Sequence, residues 1–175
     1  MILLADADLG ATASHLEILT RALGNTDADI AIATLPPQQG SAGFGIATGL
    51  ASSGLRHLTG RVIEQPLSGQ RALRWTALPS VLPFAPDFGV EVAMTLAASE
   101  AGLDVVEVEV PLSHRATRRD LSGIRHRARQ ALDIATVLGR HMGRHPEHKQ
   151  HTPSTSPRHP ARRVREWVLR SSPKI

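Results

Sequence analysis

Two aspartates separated by one residue close the first apolar run of the chain, Met1-Ile2-Leu3-Leu4-Ala5-Asp6-Ala7-Asp8. Alternate residues of an extended chain point the same way, so Asp6 and Asp8 can face one hard cation from about 6–7 Å apart along a strand. Such a pair suits Mg²⁺ or Mn²⁺ bound to a diphosphate. The plain alternative is that Asp8 caps the helix that follows. The chain supplies its own control, because Asp27-Ala28-Asp29 repeats the triplet but precedes its apolar run instead of ending it. Three further groups have chemical range. Glu91 falls in the first turn of an expected helix, either favoured there by the helix dipole or aimed into a site. His114, Arg115 and Arg118 crowd a loop straight after an expected strand, where a histidine is a metal ligand or an ordinary surface residue. The turn Pro66-Leu67-Ser68-Gly69-Gln70 either lines a site or is a surface turn.

Positioning these groups takes strands that end in carboxylates and helices that start near them. Ile2, Leu3 and Leu4 form a continuous apolar run, as expected for a strand buried on both faces. Ser14-x-x-Glu17 has capping-box spacing, and Leu16, Leu19 and Leu23 share one face of a helix stopped by Gly24. Residues 28–35 alternate, with Ile30 and Ile32 on one side, and end at Pro36-Pro37. Strand, helix and strand at this spacing predict an α/β sheet. Residues 38–60 are a glycine-rich loop feeding a weak helix through Ile46, Leu50 and Leu58, without the spacing of a phosphate cradle. Residues 61–75 predict a short strand, the turn at Pro66–Gly69, and a helix start. Asp87 is an expected N-cap for a helix over 88–101 with Val90, Ala93, Met94 and Ala97 on its apolar face. Residues 104–110 alternate, with Val106, Val108 and Val110 buried and Glu107 and Glu109 wet. The last helix places Ile124, Ala128, Ala131, Ala135, Leu138 and Met142 on one face and arginines on another, a basic face either solvated or near anionic lipid.

The length of 175 residues suits one domain with a tail. The domain spans 1–144, and 145–175 is a basic, Pro/Ser/His-rich segment too polar to pack, expected to be disordered. No run reaches the roughly 18 apolar residues of a membrane span, and no basic segment precedes the first apolar run, so the expected location is cytoplasmic, with membrane-peripheral contact left open. With no cysteine, disulfides, thiolate metal sites and cysteine nucleophiles are all excluded. Net charge is −7 over residues 1–114 and +7 over 140–175, an asymmetry that points to an anionic partner. Three Phe, two Trp and no Tyr are too few for a stacking platform, which argues against nucleic acid.

Four stretches in order, LLADADLG, QPLSGQRALR, FGVEVAMTLAASEAGLDVVEV and VPLSHRATRRD, resemble the second half of nucleotide-sugar glycosyltransferases of the GT-A fold. The resemblance covers about residues 1–140 and is nearest to family-2-like bacterial enzymes of the glucosyl-3-phosphoglycerate synthase kind and related polyprenyl-phosphate transferases. It implies a partial GT-A, Rossmann-like α/β sheet with flanking helices. It also implies transfer of a sugar from a nucleoside-diphosphate donor to a small or lipid-phosphate acceptor, with Mg²⁺ or Mn²⁺. By likeness, Asp6 and Asp8 match the DxD motif that holds metal and nucleotide, and His114 completes the metal site. Arg115 and Arg118 add charge to the diphosphate, Pro66 to Gln70 line the sugar and acceptor pocket, and Glu91 contacts the donor sugar with Gln70 beside it. The part that binds base and ribose in that family has no counterpart ahead of Asp6, so the chain reads as truncated. It is then expected to form a homo-oligomer or to pair with the missing half, a non-catalytic subunit or remnant being the alternative to an enzyme. Among residues 43–48 (GFGIAT) the arginine and threonine with which phosphoglycerate-using members grip their acceptor have no clear counterpart, so that acceptor is not implied.

Overall fold

The computed structural model describes residues 1–35, 45–112 and 121–144, the last segment with side chains from 128 to 143. Four short strands make one mixed sheet: β1 (Ile2–Leu4), β2 (Ile30–Thr34), β3 (Arg71–Leu73) and β4 (Val105–Glu109), in the order β1-β3-β2-β4. β3 runs antiparallel to β1 and β2, whereas β4 is parallel to β2. The carboxyl ends of β1, β2 and β4 therefore lie on one side of the sheet, and β3 begins there.

Helices cover both faces, and the alternation of β2 explains how. Ile30 and Ile32 face a core shared with α2 (Gly45–Thr59), α3 (Leu78–Val81), α4 (Val90–Glu100) and α5 (Leu121–Arg144). Ala31 and Ala33 face a second core with Leu16, Leu19 and Leu23, which belong to a 3₁₀ turn over Gly10–Leu16 and to α1 (Glu17–Gly24). All four of these β2 residues are buried, as expected for a strand covered on both sides. The expected α/β sheet with flanking helices is the observed architecture.

Several local expectations are corrected. β1 is an edge strand and not doubly buried, since it pairs only with β3 in the described sheet and Leu3 is 42% exposed. The Ser14–Glu17 capping box does not form. The 3₁₀ turn runs directly into α1, so the first N–H groups of α1 are not left open for a cap, and Ser14 Oγ donates to Ala11 O instead. Over 61–75 the strand follows the turn instead of preceding it. The backbone N–H groups of Glu64 and Gln65 donate to the Glu107 carboxylate instead of to a strand, and pairing begins at Arg71. Asp87 does not cap α4, whose N-cap is Gly89; Asp87 has φ of 57° in a 3₁₀ turn and faces Arg129 at 3.8 Å.

Helix faces differ for one shared reason, the crowding of α2, α4 and α5 against one another. α4 buries Val92, Met94, Thr95, Leu96 and Ala98 almost all round, because it is enclosed by neighbouring helices. α2 buries Ala47, Ala51 and Leu55, leaving Ile46 and Leu50 outside. α5 buries Ile134 and Leu138, one turn apart, whereas Ala128, Ala135 and Met142 are exposed.

Candidate active site

At the carboxyl end of β1 the chain turns outward and presents Asp6. Gln70, the last residue before β3, is 2% exposed and donates from Nε2 to Asp6 Oδ2 at 2.9 Å. Gly69 lies directly under the same carboxylate: a Cβ built there would sit 2.7 Å from Asp6 Oδ1, so no larger residue fits without moving Asp6. The antiparallel register accounts for the meeting, since Leu4 is opposite Arg71 and the chains leaving the two strands at that end carry Asp6 and Gln70.

A cavity of about 250 Å³ opens beside this pair. Asp6 and Glu91 are its carboxylates, Gly69 and Arg71 form part of its base, and Leu4, Phe84, Val90 and Met94 make an apolar wall. Glu91 comes from the first turn of α4. Burial pushes its carboxyl above the usual range. Its own backbone N–H and the charge of Arg71 act against that rise, and the negative charge of Asp6 adds to it.

The turn before β3 is held from beneath. Arg71, 1% exposed, donates from Nε to Ser68 O at 2.9 Å and from Nη2 to Pro66 O at 3.0 Å. Its Nη1 reaches Thr95 Oγ1 on α4 at 3.0 Å. Burial lowers its pKa to about 10 against the opposing pull of Glu91 and Glu107. Glu107 holds the start of the same loop, accepting from the N–H of Glu64 at 2.9 Å and of Gln65 at 2.9 Å. Glu107 is therefore not on a wet face as alternation predicts; it is half-buried, and burial raises its carboxyl despite those two N–H donors.

The structure thus brings Asp6, Gly69, Gln70 and Glu91 together, whereas the Pro66 and Ser68 carbonyls accept from the buried Arg71 and do not line the cavity. Leu67 packs against the core instead of lining the cavity. Asp8 lies in the exposed turn beyond Asp6 and does not line the cavity either. His114, Arg115 and Arg118 lie outside the described residues. The backbone just before them is placed, because His15 Nδ1 lies 2.8 Å from Pro111 O and links the segment after Asp8 to the end of β4. Residues missed by sequence reasoning are Arg71, Thr95, Glu107 and Phe84. A lone arginine in a polar run carries no signal of burial, but Phe84 among prolines in LPFAP was a readable one.

Twenty-one solved chains match this fold. One is glucosyl-3-phosphoglycerate synthase from Mycobacterium tuberculosis in complex with phosphoglyceric acid, with TM-score 0.60 and 22% identity over 81% of this chain and 49% of that one. Another is the same enzyme with Mn²⁺, uridine-diphosphate-glucose and phosphoglyceric acid, with TM-score 0.56 and 26% identity over 78% of this chain and 49% of that one. The chain has a partial GT-A fold. It spans about half the length of the solved structures it matches. No family model and no curated protein matches it. Within the GT-A sheet the cavity lies at the carboxyl ends of the parallel strands, where open α/β sheets bind their ligands.

Among the described residues no three His, Asp or Glu side chains meet closely enough to hold a metal by themselves. The donor set fits a cation of another kind. Mg²⁺ keeps most of its ligands as water and phosphate and takes only one or two protein carboxylates, which Asp6 and Asp8, both exposed oxygen donors, can supply.

Proposed function

We propose that this chain is the catalytic part of a metal-dependent glycosyltransferase that moves a sugar from a nucleoside-diphosphate donor to a small or lipid-phosphate acceptor. The observation that carries the reading is that Asp6, oriented by Gln70, and Glu91 open into one cavity at the carboxyl end of a GT-A sheet. Asp6 and Asp8 would hold Mg²⁺ or Mn²⁺, which when bound would supply Lewis-acid stabilisation of a departing diphosphate worth several kcal/mol. Gln70 keeps the Asp6 carboxylate in one orientation. Glu91 faces the sugar across the cavity and accepts hydrogen bonds from its hydroxyls as positive charge grows at the anomeric carbon. Phe84, Val90 and Met94 take the apolar face of the ring and exclude water from it. His114, Arg115 and Arg118, which follow β4 in the sequence, would add positive charge to the diphosphate, and that basic stretch suits a phosphate-bearing acceptor or an anionic membrane surface.

The test is a panel of nucleotide sugars with Mn²⁺, reading donor hydrolysis or transfer in the wild-type chain and in Asp6→Ala. Turnover that needs Mn²⁺ and disappears in Asp6→Ala is expected; turnover indifferent to both would sink the reading. Because the chain spans half of the matched enzymes, a second reading is kept: a non-catalytic subunit or remnant that works with a polypeptide carrying a nucleotide-binding half. It is favoured if the chain binds Mn²⁺ with UDP but turns over no donor.

A further inference from the structure

Arg71 is the bulkiest of the fully buried side chains among the described residues, and its three contacts go to two segments that each carry a cavity-lining residue, the turn with Gly69 and the helix with Glu91. Ser68 O and Pro66 O belong to the turn that carries Gly69 and Gln70. Thr95 belongs to α4, and its hydroxyl donates to Glu91 O at 2.9 Å. One guanidinium therefore ties the turn beneath Asp6 to the helical turn that carries Glu91. The register adds lateral restraint, since Leu4, Arg71, Ile32 and Glu107 are opposed in one row across the sheet.

We propose that Arg71 is a positioning residue: by holding the turn Pro66–Gly69 against α4, it sets the separation of Asp6 and Glu91 across the cavity. The claim rests on the reading of that cavity as the donor site. Its physical basis is the shape of the side chain. A guanidinium offers five donors in a rigid planar fork, so it can hold two carbonyls and a hydroxyl at once. Lysine has a flexible stem and a point charge, and cannot hold all three in that geometry. Simple filling of the space is not a sufficient role, because a buried cation is costlier than an apolar side chain of similar volume. The effect passes to Asp6 through the backbone of Gly69, which lies close against its carboxylate, and through the Gln70 amide.

The experiment compares the full chain with R71K, R71M and T95V. The side-chain amide signals of Gln70 are followed by NMR, Mn²⁺ is titrated in the presence of UDP, and thermal unfolding is recorded. Folded R71K is expected to show shifted, less protected Gln70 amide protons and about tenfold weaker Mn²⁺ binding, the size of loss typical for residues that orient a metal ligand. T95V, which cuts only the tie to α4, should leave the Gln70 signals in place and weaken Mn²⁺ by a smaller factor. A merely structural arginine lowers the unfolding midpoint in R71K and R71M without moving the Gln70 signals of the folded protein. Unchanged Gln70 signals and unchanged Mn²⁺ affinity in folded R71K overturn the proposal; if neither Arg71 variant folds, unchanged Mn²⁺ affinity in T95V does so. Should the wild-type chain bind no Mn²⁺ with UDP, the donor-site reading fails, and the Gln70 signals alone decide whether Arg71 positions the turn.

Discussion

Glu91 shows how a cavity sets the charge state of a residue that lines it. Glu91 is held above its ordinary value of 4.5 chiefly by burial, and the Asp6 charge adds to the rise. A carboxyl whose folded-state pKa is raised favours the folded chain while it is protonated. Its contribution is complete below 4.5 and is lost as pH climbs through the raised value, because there the folded state alone keeps the proton. In Glu91→Gln this loss is absent, so the unfolding midpoint should fall less steeply with rising pH just above 4.5 than in the wild type. Equal slopes in calorimetry across that window would remove Glu91 from the account. What the sequence made legible at this scale follows the same logic. Asp6 could be singled out because it ends an apolar run, and a strand end is a place where a carboxylate reaches a site. Arg71 could not, because burial of an arginine depends on carbonyls and carboxylates brought from the turn, α4 and β4. Asp8 shares the triplet with Asp6 but lies beyond the strand, where alternation no longer directs the side chain.

At the scale of elements, the long strongly patterned pieces were readable and the short ones were not. β2, α1 and β4 carry their periodicity in their own residues. β3 is three residues long, Arg71-Ala72-Leu73, and exists because β1 and β2 offer it partners on both sides. The loop before it depends on Glu107, whose carboxylate accepts from both the Glu64 and Gln65 N–H groups. Glu107→Ala removes both acceptors at a half-buried site and should cost about 2–3 kcal/mol, given about 1.5–3 kcal/mol for a hydrogen bond to a charged group and partial replacement by water. Denaturant unfolding checks it, and a change under about 0.5 kcal/mol would mean that the loop is held by Arg71 and by the Gln65 side chain, whose Nε2 donates to Leu35 O at 3.1 Å. The α2–α5 crossing is read in the same way. A Cβ on Gly54 would collide with Leu138 Cδ1, in a core position where Leu138 is 5% exposed. Gly54→Ala is therefore expected to destabilise by about 1–3 kcal/mol through overpacking, against a gain of up to about 1 kcal/mol from helix propensity. A net stabilisation on denaturant titration would show that the end of Leu138 swings aside freely.

The whole molecule combines a core on each face of its sheet with an edge that the described chain does not cover. β1 has no charge and no proline in Ile2-Leu3-Leu4, and it pairs on one side only within the described sheet. Leu3 is 42% exposed, and Met1, two residues before it in the chain, adds apolar surface at 59% exposure. Natural edge strands are protected by charge, proline or a covering element, and an apolar edge without them pairs with another chain. The chain is therefore expected to self-associate with rising concentration, and Leu3→Lys is the variant that separates edge pairing from general stickiness. Alternation puts Leu3 on the face away from Leu4, and it is Leu4 that packs on the core and lines the cavity. A lysine at position 3 thus places a charge on the edge without entering the site, and little buried surface is lost with the leucine. Sedimentation velocity over a wide concentration range should show wild-type species larger than a monomer and Leu3→Lys shifted toward the monomer, with Mn²⁺ binding the same in both. A wild-type chain that sediments as a monomer throughout would show that this edge is too short to pair. A Leu3→Lys chain that still associates would move the contact to another surface, the exposed Ile46 and Leu50 on α2 being next in line.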